Sequence, residues 1–160
     1  MTNIVAISGC ISASGTGFAA RIAGLGILAL LSIGAAEPAS LDLSITGLRN
    51  LNGNVLICLT SNAKAFPNCA KDAQARKAIV PAAKAANVHF ADLATGIYAI
   101  ALVHDENANG KMDVAIMIPR EGYGFSRNAM GSFGPPKFAA AQFGVVPGGN
   151  VQAVRMKYML

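Results

Sequence analysis

The chain has no tryptophan, and charged residues make up only 13% of its 160 residues. Apolar residues make up 53%. Because intrinsic disorder requires low hydrophobicity together with high charge, this composition excludes a disordered chain. The formal net charge is +5, but the basic residues are scattered along the chain and form no run. Since a nucleic-acid interface needs clustered basic charge, nucleic-acid binding is not expected.

Sequence motifs for catalysis and for transition-metal binding are also absent. The chain has no Gly-x-Ser-x-Gly element, no CxxC pair and no HxxxH pair. His104 stands beside Asp105, a combination that could act as a base. No activated nucleophile accompanies this pair in the sequence. We therefore expect no enzymatic activity, and a hydrolase that acts through His104 is the less favoured alternative.

The first part of the chain is typical of an export signal. Residues 22–35 are apolar and uncharged, Arg21 precedes them, and small residues that include Ala36 follow. A secretory signal has this order of positive charge, short apolar run and small-residue cleavage site. The run is shorter than the roughly 20 residues of a transmembrane helix, although an uncleaved membrane anchor is the alternative. We predict a leader over residues 1–36 and a single mature domain, periplasmic or secreted, over residues 37–160.

Two of the three cysteines, Cys58 and Cys69, lie in the predicted mature domain. Exported domains fold under oxidising conditions, in which paired cysteines form disulfides. Their spacing does not match a metal-binding signature. We predict a Cys58–Cys69 disulfide, with two separate buried thiols as the alternative.

Short apolar segments predict β-strands along the mature domain. Residues 41–46 alternate apolar and polar side chains, which is typical of a half-buried strand. Residues 55–60 are apolar on both faces and predict a central strand. Further strands are predicted at residues 77–80 and 138–146, on both sides of a turn at Gly96, and at the end of the chain. Since Gly, Pro and Asn separate these segments, the pattern predicts an all-β antiparallel sandwich of about seven strands.

In the last predicted strand, apolar side chains again alternate with basic ones. The inward-facing residues are predicted to be Val154, Met156, Tyr158 and Leu160. Arg155 and Lys157 then face solvent, as in a strand with one buried face.

Residues 105–113 partly match a calcium-binding loop. In such a loop, oxygen-bearing side chains on alternate residues converge on the ion, and a glycine such as Gly110 provides the sharp turn. The candidate ligands are the side chains of Asp105, Asn107, Asn109 and Asp113 and the backbone carbonyl of Lys111. Ile116 occupies the position of the usual bidentate Glu, and Glu121 could fold back as a further carboxylate. We predict a weak calcium site; the alternative is a hairpin turn at Asn109-Gly110 whose Asp and Asn side chains cap backbone N–H groups.

Three aromatic residues follow in a glycine-rich part of the chain. They are Tyr123, Phe125 and Phe133. They are candidates for an aromatic surface that binds a sugar or a peptide. Alternatively, they pack over the end of the protein's own core.

Three motifs together resemble a bacterial family of exported proteins of unknown function. They are residues 104–113, 119–126 and 134–138. The resemblance covers about residues 41–160 and implies export and a sandwich similar to prealbumin-like and immunoglobulin-like domains. The turn over residues 93–98 is similar to that of carboxypeptidase regulatory-type domains. The resemblance implies no activity, and Met117 departs from it because family members often have Gly at that position.

These observations together favour a non-catalytic binding or accessory module of the cell envelope. Its partner would be an unidentified envelope ligand or protein. Membrane contact is expected only through an uncleaved signal, if at all. A purely structural envelope protein is the second possibility.

Overall fold

A computed structural model describes residues 38–116, 118–132 and 134–160. The predicted leader lies outside the described residues, as do Met117 and Phe133. The strands are β1 (Ala39–Thr46), β2 (Asn54–Thr60), β3 (Arg76–Pro81), β4 (Asn87–Leu93), β5 (Gly96–Asp105), β6 (Val114–Ala115), β7 (Ile118–Pro119), β8 (Gly122–Phe125), β9 (Phe143–Val145) and β10 (Gly148–Arg155). Short 3-10 turns lie at Cys69–Lys71, Ala82–Lys84 and Ser126–Asn128, and the helix α1 spans Phe138–Ala141.

The larger strands form two sheets. One sheet has the order β10-β1-β4, and the other has the order β3-β2-β5-β8, with β9 also paired to β5. The short strands β6 and β7 form a separate hairpin. The structure confirms the predicted all-β sandwich. One pairing departs from the antiparallel expectation, because β1 lies parallel to β10.

The main core lies between the two sheets. From β1 it takes Leu41, Leu43 and Ile45, the residues that the alternating pattern marks as inward. From the second sheet it takes Val55, Ile57 and Leu59 of β2. The strand β2 lies between β3 and β5, so the prediction of a central strand over residues 55–60 is confirmed.

A second, smaller apolar cluster joins the connections 61–75 and 129–141 to the five-stranded sheet. Phe66 packs edge-on against Phe125 and Phe138, with both ring centroids 5.9 Å from its own. The predicted disulfide is confirmed: Cys58 of β2 is bonded to Cys69, at a Cα–Cα distance of 5.8 Å. The connection after β2 is therefore held to the sheet by both a covalent bond and an aromatic contact.

Two predictions near the end of the chain are wrong. Residues 138–146 do not form one strand, because residues 138–141 form α1 before β9 begins. Three of the four α1 residues are alanines, which favour helix, and Ala141 packs into the second cluster. Leu160 does not face inward, since β10 ends at Arg155 and 59% of Leu160 is exposed.

In the described part of the chain, no helix is long and apolar enough to span a membrane.

Candidate functional site

Residues 106–121 connect β5 to β8 at one end of the sandwich. Asp105, the last residue of β5, directly precedes this connection. The Asp105 carboxylate is fully buried. Its Oδ1 accepts a hydrogen bond of 3.0 Å from the backbone N of Asn109, and its Oδ2 accepts one of 2.7 Å from the backbone N of Gly110. Gly110 has a φ of +80°, which a glycine adopts without steric penalty. Asp105 therefore fixes the turn that the sequence motif predicts.

Asn107 and Asn109 connect this turn to Asp113. Their Oδ1 atoms accept hydrogen bonds from backbone N–H groups two residues later, over 3.1 Å and 3.0 Å. Their Nδ2 groups donate to the two carboxylate oxygens of Asp113, over 2.7 Å and 3.0 Å. These bonds, that of Asn109 first, hold the pKa of the Asp113 carboxyl below its ordinary value.

Glu121 does fold back towards the loop. It is buried, and its Oε1 accepts a hydrogen bond of 3.1 Å from the backbone N of Glu106. Its Oε2 accepts one of 3.0 Å from the backbone N of Asp113. The three carboxylates thus lie around one loop, and each of their oxygens accepts a hydrogen bond from that loop.

This donor set consists of oxygen atoms, which suit a hard cation such as calcium. The Asn107 and Asn109 amides at present turn their NH₂ groups towards Asp113. A cation on Asp113 would require their oxygens to face the carboxylate and to leave the backbone N–H groups they now accept from. Among the described residues, no group of three or more His, Cys, Asp or Glu side chains is placed to hold a metal ion. Any cation site built from these residues would therefore depend on the two amides.

The alternative expectation is a hairpin with its turn at Asn109-Gly110, but the strand that pairs with β5 is not the one expected from that turn. The strand β5 pairs with β8, not with a strand that directly follows Gly110. The intervening chain forms the small β6–β7 hairpin, whose base is closed by a hydrogen bond of 3.0 Å from Arg120 N to Asp113 O. The Asp and Asn side chains nevertheless cap backbone N–H groups, as that alternative expects.

An ion pair adjoins the loop. Arg49, which lies between β1 and β2, donates from Nε to Glu106 Oε1 over 3.0 Å and from Nη2 to Glu106 Oε2. This bond lowers the pKa of the Glu106 carboxyl. The guanidinium also donates to the carbonyls of Arg120 and Leu160, and it lies 4.6 Å from the Tyr158 ring centroid. Arg49 therefore ties the loop to the end of the chain.

His104, which precedes Asp105 at the end of β5, is fully buried. Its Nε2 lies 2.9 Å from the Asn52 carbonyl, and its Nδ1 lies 2.7 Å from the Tyr158 hydroxyl. Because a carbonyl only accepts, Nε2 donates to Asn52 O, and Nδ1 is hydrogen-bonded to the Tyr158 hydroxyl. Burial raises the pKa of Tyr158. Both nitrogens of His104 are thus engaged inside the fold.

Ser126, a loop serine next to the aromatic motif, is also engaged. It is fully buried, and its hydroxyl donates to Ala141 O over 2.5 Å while accepting from Ile100 N over 2.9 Å. These bonds link β5 to α1. The Ser126 hydroxyl therefore has a structural task.

Beside the loop, the surface forms a shallow depression of about 390 Å³. Its lining combines both signs of charge with an amide. The lining residues are Arg49, Glu106, Asn107, Asp113, Arg120 and Glu121. This depression is a polar surface beside the loop.

The three aromatic candidates do not share one environment. Phe125 is buried in the second cluster, and the half-buried Tyr123 lies 5.9 Å from it between ring centroids. Phe133 lies outside the described residues. For Phe125, the structure shows packing over the protein's own core.

The fold and this site define a small all-β sandwich domain with a carboxylate- and amide-rich end loop. A family model described as "Uncharacterized protein conserved in bacteria (DUF2141)" matches residues 43–153, and the chain belongs to this family. The resemblance to a bacterial family of unknown function is thereby confirmed. Searches of the curated proteins and of the solved structures found no match.

Proposed function

We propose that the protein is a non-catalytic binding or accessory module of the bacterial cell envelope. We further propose that the loop 105–113 binds calcium weakly. The observation that carries this proposal is the partly exposed Asp113 carboxylate with the side-chain amides of Asn107 and Asn109 at its two oxygens.

The low expected affinity follows from the ligand set. Only Asp113 has a carboxylate that is partly exposed, because Asp105 and Glu121 are buried on backbone N–H groups. A cation must also displace the hydrogen bonds that Asn107 and Asn109 make. These terms support a dissociation constant in the range of weak extracellular calcium modules, about 10⁻⁴ to 10⁻³ M.

The internal hydrogen bonds of His104 and Ser126 support a non-catalytic role. A general base needs a nitrogen or oxygen within reach of its substrate. Both nitrogens of His104 and the hydroxyl of Ser126 are instead bonded within the fold.

The disulfide and the leader pattern support an envelope location. Disulfides persist in the periplasm and outside the cell. Cleavage near Ala36 should therefore release a chain that begins at about residue 37. The intact mass of protein recovered from the periplasm tests this, and retention of residues 22–36 in a membrane pellet would contradict cleavage.

Thermal unfolding in EDTA and in several millimolar calcium tests the cation site. At ten times Kd, binding should stabilise the fold by about 1.4 kcal/mol, which raises Tm by roughly 3–8 °C. Asp113→Asn should lose most of this rise, because it removes the accessible charge. Asp42→Asn is the matched control, since Asp42 is an exposed carboxylate on β1 outside the loop, and it should keep the whole rise.

Two outcomes would count against the site. A native protein whose Tm does not respond to calcium would favour a self-capped loop and a purely structural envelope protein. Equal rises in the native protein and in Asp113→Asn would place the ion elsewhere.

A further inference from the structure

The strands at the ends of the two sheets differ in how well their outer edges are protected. These strands are β4 and β10 in one sheet and β3 and β8 in the other. The open edge of a strand offers backbone N–H and C=O groups to another chain. Proteins block such edges with charged residues, prolines, irregular backbone or covering segments. An edge that lacks all of these is therefore a candidate for pairing with a partner.

The edges of β4 and β3 are protected. On β4, Arg76 donates from Nη2 to the carbonyls of Ala91 and Asp92, over 2.7 Å and 3.2 Å. Asp92 also has a φ of +52°, which interrupts the extended backbone. The strand β3 begins with Arg76 and Lys77 and ends at Pro81. Charge, proline and irregular backbone thus oppose the addition of a strand at these two edges.

The edge of β8 is covered, but that of β10 is open. Tyr123 of β8 donates its N–H to Lys157 O over 2.9 Å and accepts from Lys157 N over 2.8 Å. Residues 149–153 of β10 include no charged residue and no proline, and the pairing of β10 with β1 runs without a bulge. Within the described residues, no strand lies on the outer edge of this segment.

Hydrogen bonds at the end of β10 show which backbone groups face the open edge. Met156 N donates to Thr46 O of β1 over 2.8 Å. Arg155 N instead donates away from β1, to Asn128 Oδ1 over 2.9 Å. Successive residues of a strand direct their N–H and C=O groups to opposite edges, so the odd-numbered residues of β10 direct theirs outward. The open groups belong to Gly149, Val151 and Ala153.

This open segment is bounded at both ends and is symmetric about Val151. Before it, Pro147 has no N–H, and after it the N–H of Arg155 is already bonded. In an antiparallel pair, opposite residues exchange N–H and C=O groups and point to the same face of the sheet. Two copies of β10 can therefore pair with Val151 opposite Val151 and with Gly149 opposite Ala153. In this register, every open N–H and C=O group of the segment obtains a partner.

The side chains are compatible with this pairing. Val151 is 72% exposed, and the two copies of it would face each other at the twofold axis. Gly149 and Ala153 are small enough to lie opposite each other without a clash. Arg155 would lie opposite Pro147, so the two arginines would be about 27 Å apart at roughly 3.4 Å per residue. A parallel pairing in register would instead place the two arginines side by side.

The other charges near the edge are also kept apart. Asp42 of β1 is in register with Val151, and its Oδ1 lies 2.7 Å from His89 Nδ1. Two copies of Asp42 would be separated by three strand spacings, about 14 Å, which exceeds the Debye length of about 8 Å at physiological ionic strength. Arg127 and Lys157 lie at the Arg155 end, so those of the two copies would be at opposite ends of the pair.

We propose that the protein forms a dimer through antiparallel pairing of β10 with β10 of a second copy, about a twofold axis at Val151. The two three-stranded sheets then form one continuous sheet. A second copy fits better than an unrelated extended peptide, because the bounded ends and the small residues of the segment match the same segment reversed. Use of the same patch on both subunits is the usual geometry of a twofold dimer.

Cysteine substitutions test the register. Opposite residues of a hydrogen-bonded antiparallel pair have Cα atoms about 5.5 Å apart, a distance that a disulfide spans. Val151→Cys should therefore form a covalent dimer under mild oxidation. Gly149→Cys alone and Ala153→Cys alone should crosslink poorly, whereas a mixture of these two proteins should crosslink. A Cβ at Gly149 meets nothing within 4 Å, so this substitution should not disturb the fold.

Ile79→Cys is the matched control, because Ile79 is 68% exposed on the protected edge strand β3. It should stay monomeric under the same oxidation. Cys10 is replaced by serine in every cysteine variant, so that the introduced thiol is the only cysteine outside the Cys58–Cys69 bond.

A charge at the twofold axis tests the dimer without a crosslink. Sedimentation velocity over a range of concentrations should show the native protein at twice the mass of one chain. Val151→Lys should raise the dissociation constant of the dimer by at least about tenfold, because it places two like charges directly opposite each other. Ile79→Lys is the control and should leave the dissociation constant unchanged.

The proposal is overturned if the native protein sediments as a monomer at every concentration, or if Val151→Lys dimerises as tightly as the native protein. It is also overturned if Val151→Cys crosslinks no more than Ile79→Cys. Crosslinking of Gly149→Cys alone as efficient as that of the mixture would require another register and would overturn it too. All measurements are made in EDTA, so failure of the calcium response and failure of dimer formation are separate results.

Discussion

The Tyr158 hydroxyl and Nδ1 of His104 lie 2.7 Å apart, and this bond joins the end of the chain to β5 inside the sandwich. The Tyr158 oxygen also accepts a hydrogen bond of 3.2 Å from the backbone N of Arg49. One phenol thus satisfies a buried imidazole and an N–H group of the β1–β2 connection. The elements that meet there are far apart in sequence, so the bond holds the end of the sandwich together.

Tyr158→Phe should lower the free energy of unfolding by about 1–3 kcal/mol, because it leaves the buried Nδ1 of His104 without its hydrogen-bond partner. Tyr98→Phe is the matched control. The Tyr98 hydroxyl also donates a hydrogen bond, of 3.0 Å to Ala94 O, but at an exposed position. Its loss should cost less than about 1 kcal/mol. Urea unfolding measures both variants, and equal losses would contradict the structural role of the His104 bond.

Gly122 allows the Tyr158 ring to lie against β8. A Cβ built on Gly122 would overlap the Tyr158 ring. Gly122→Ala should therefore destabilise the fold by about 1–3 kcal/mol through overpacking. Gly144→Ala on β9 is the control, since a Cβ there meets nothing within 4 Å. If Gly122→Ala unfolds at the native denaturation midpoint, the Tyr158 ring can adopt another position without loss of stability.

The Cys58–Cys69 bond closes a loop with a sequence separation of 11 residues. Replacing both cysteines by serine should lower the free energy of unfolding by about 2–4 kcal/mol, mainly because the unfolded chain gains freedom. Reduction of the native protein should produce a loss of similar size. A reductant should not change the double variant further, and a large additional loss would show that another group is being reduced.

The Glu106 carboxyl should contribute to acid sensitivity. Its pKa is lowered by the bond to Arg49, so its stabilising effect is complete above the unfolded value of about 4.3 and is lost as pH falls through the lower folded value. Between roughly pH 5 and pH 2, Glu106→Gln should therefore lose less stability than the native protein. Arg49→Gln should reduce the same pH dependence.

The double variant provides the control for that interpretation. If the two groups act as one pair, Arg49→Gln combined with Glu106→Gln should show the pH slope of Glu106→Gln alone. The pKa of Asp72 is lowered by its bond to Thr60, and this separate carboxyl should keep a residual acid dependence in every variant. Additive changes in slope would contradict the pairing.

The sandwich could be predicted from the sequence because its signals are local. The alternation over residues 41–46 and the continuous apolar run over residues 55–60 each indicate how many faces are buried. The segment 138–141 has no such signal, since a short run of Phe and Ala is compatible with helix and with strand. The parallel pairing of β1 with β10 depends on contacts across the whole domain, and no local pattern expresses it.

In the candidate site, too, the local contacts could be predicted from the sequence and the long-range contacts could not. The turn from Asp105 to Asp113 lies in one contiguous motif, so spacing alone brings its residues together. Arg49 is 57 residues from Glu106, and Tyr158 is 54 residues from His104, and the sequence carries no sign that either pair meets. The exposure of Val114 and Ile116 on the β6–β7 hairpin could not be predicted, because a short apolar run more often becomes a buried strand. Only the fold shows that this run does not.

The parallel pairing of β1 with β10 restricts the order in which the domain can form. Ala39 lies opposite Gly148, so almost the entire domain is the crossover between two neighbouring strands. A chain that emerges from its amino end has β1 early but lacks one neighbour until the last strand is released. Closing such a distant contact is slow because the loop entropy is paid first. During synthesis, the complete three-stranded sheet can therefore assemble only after β10 has been released.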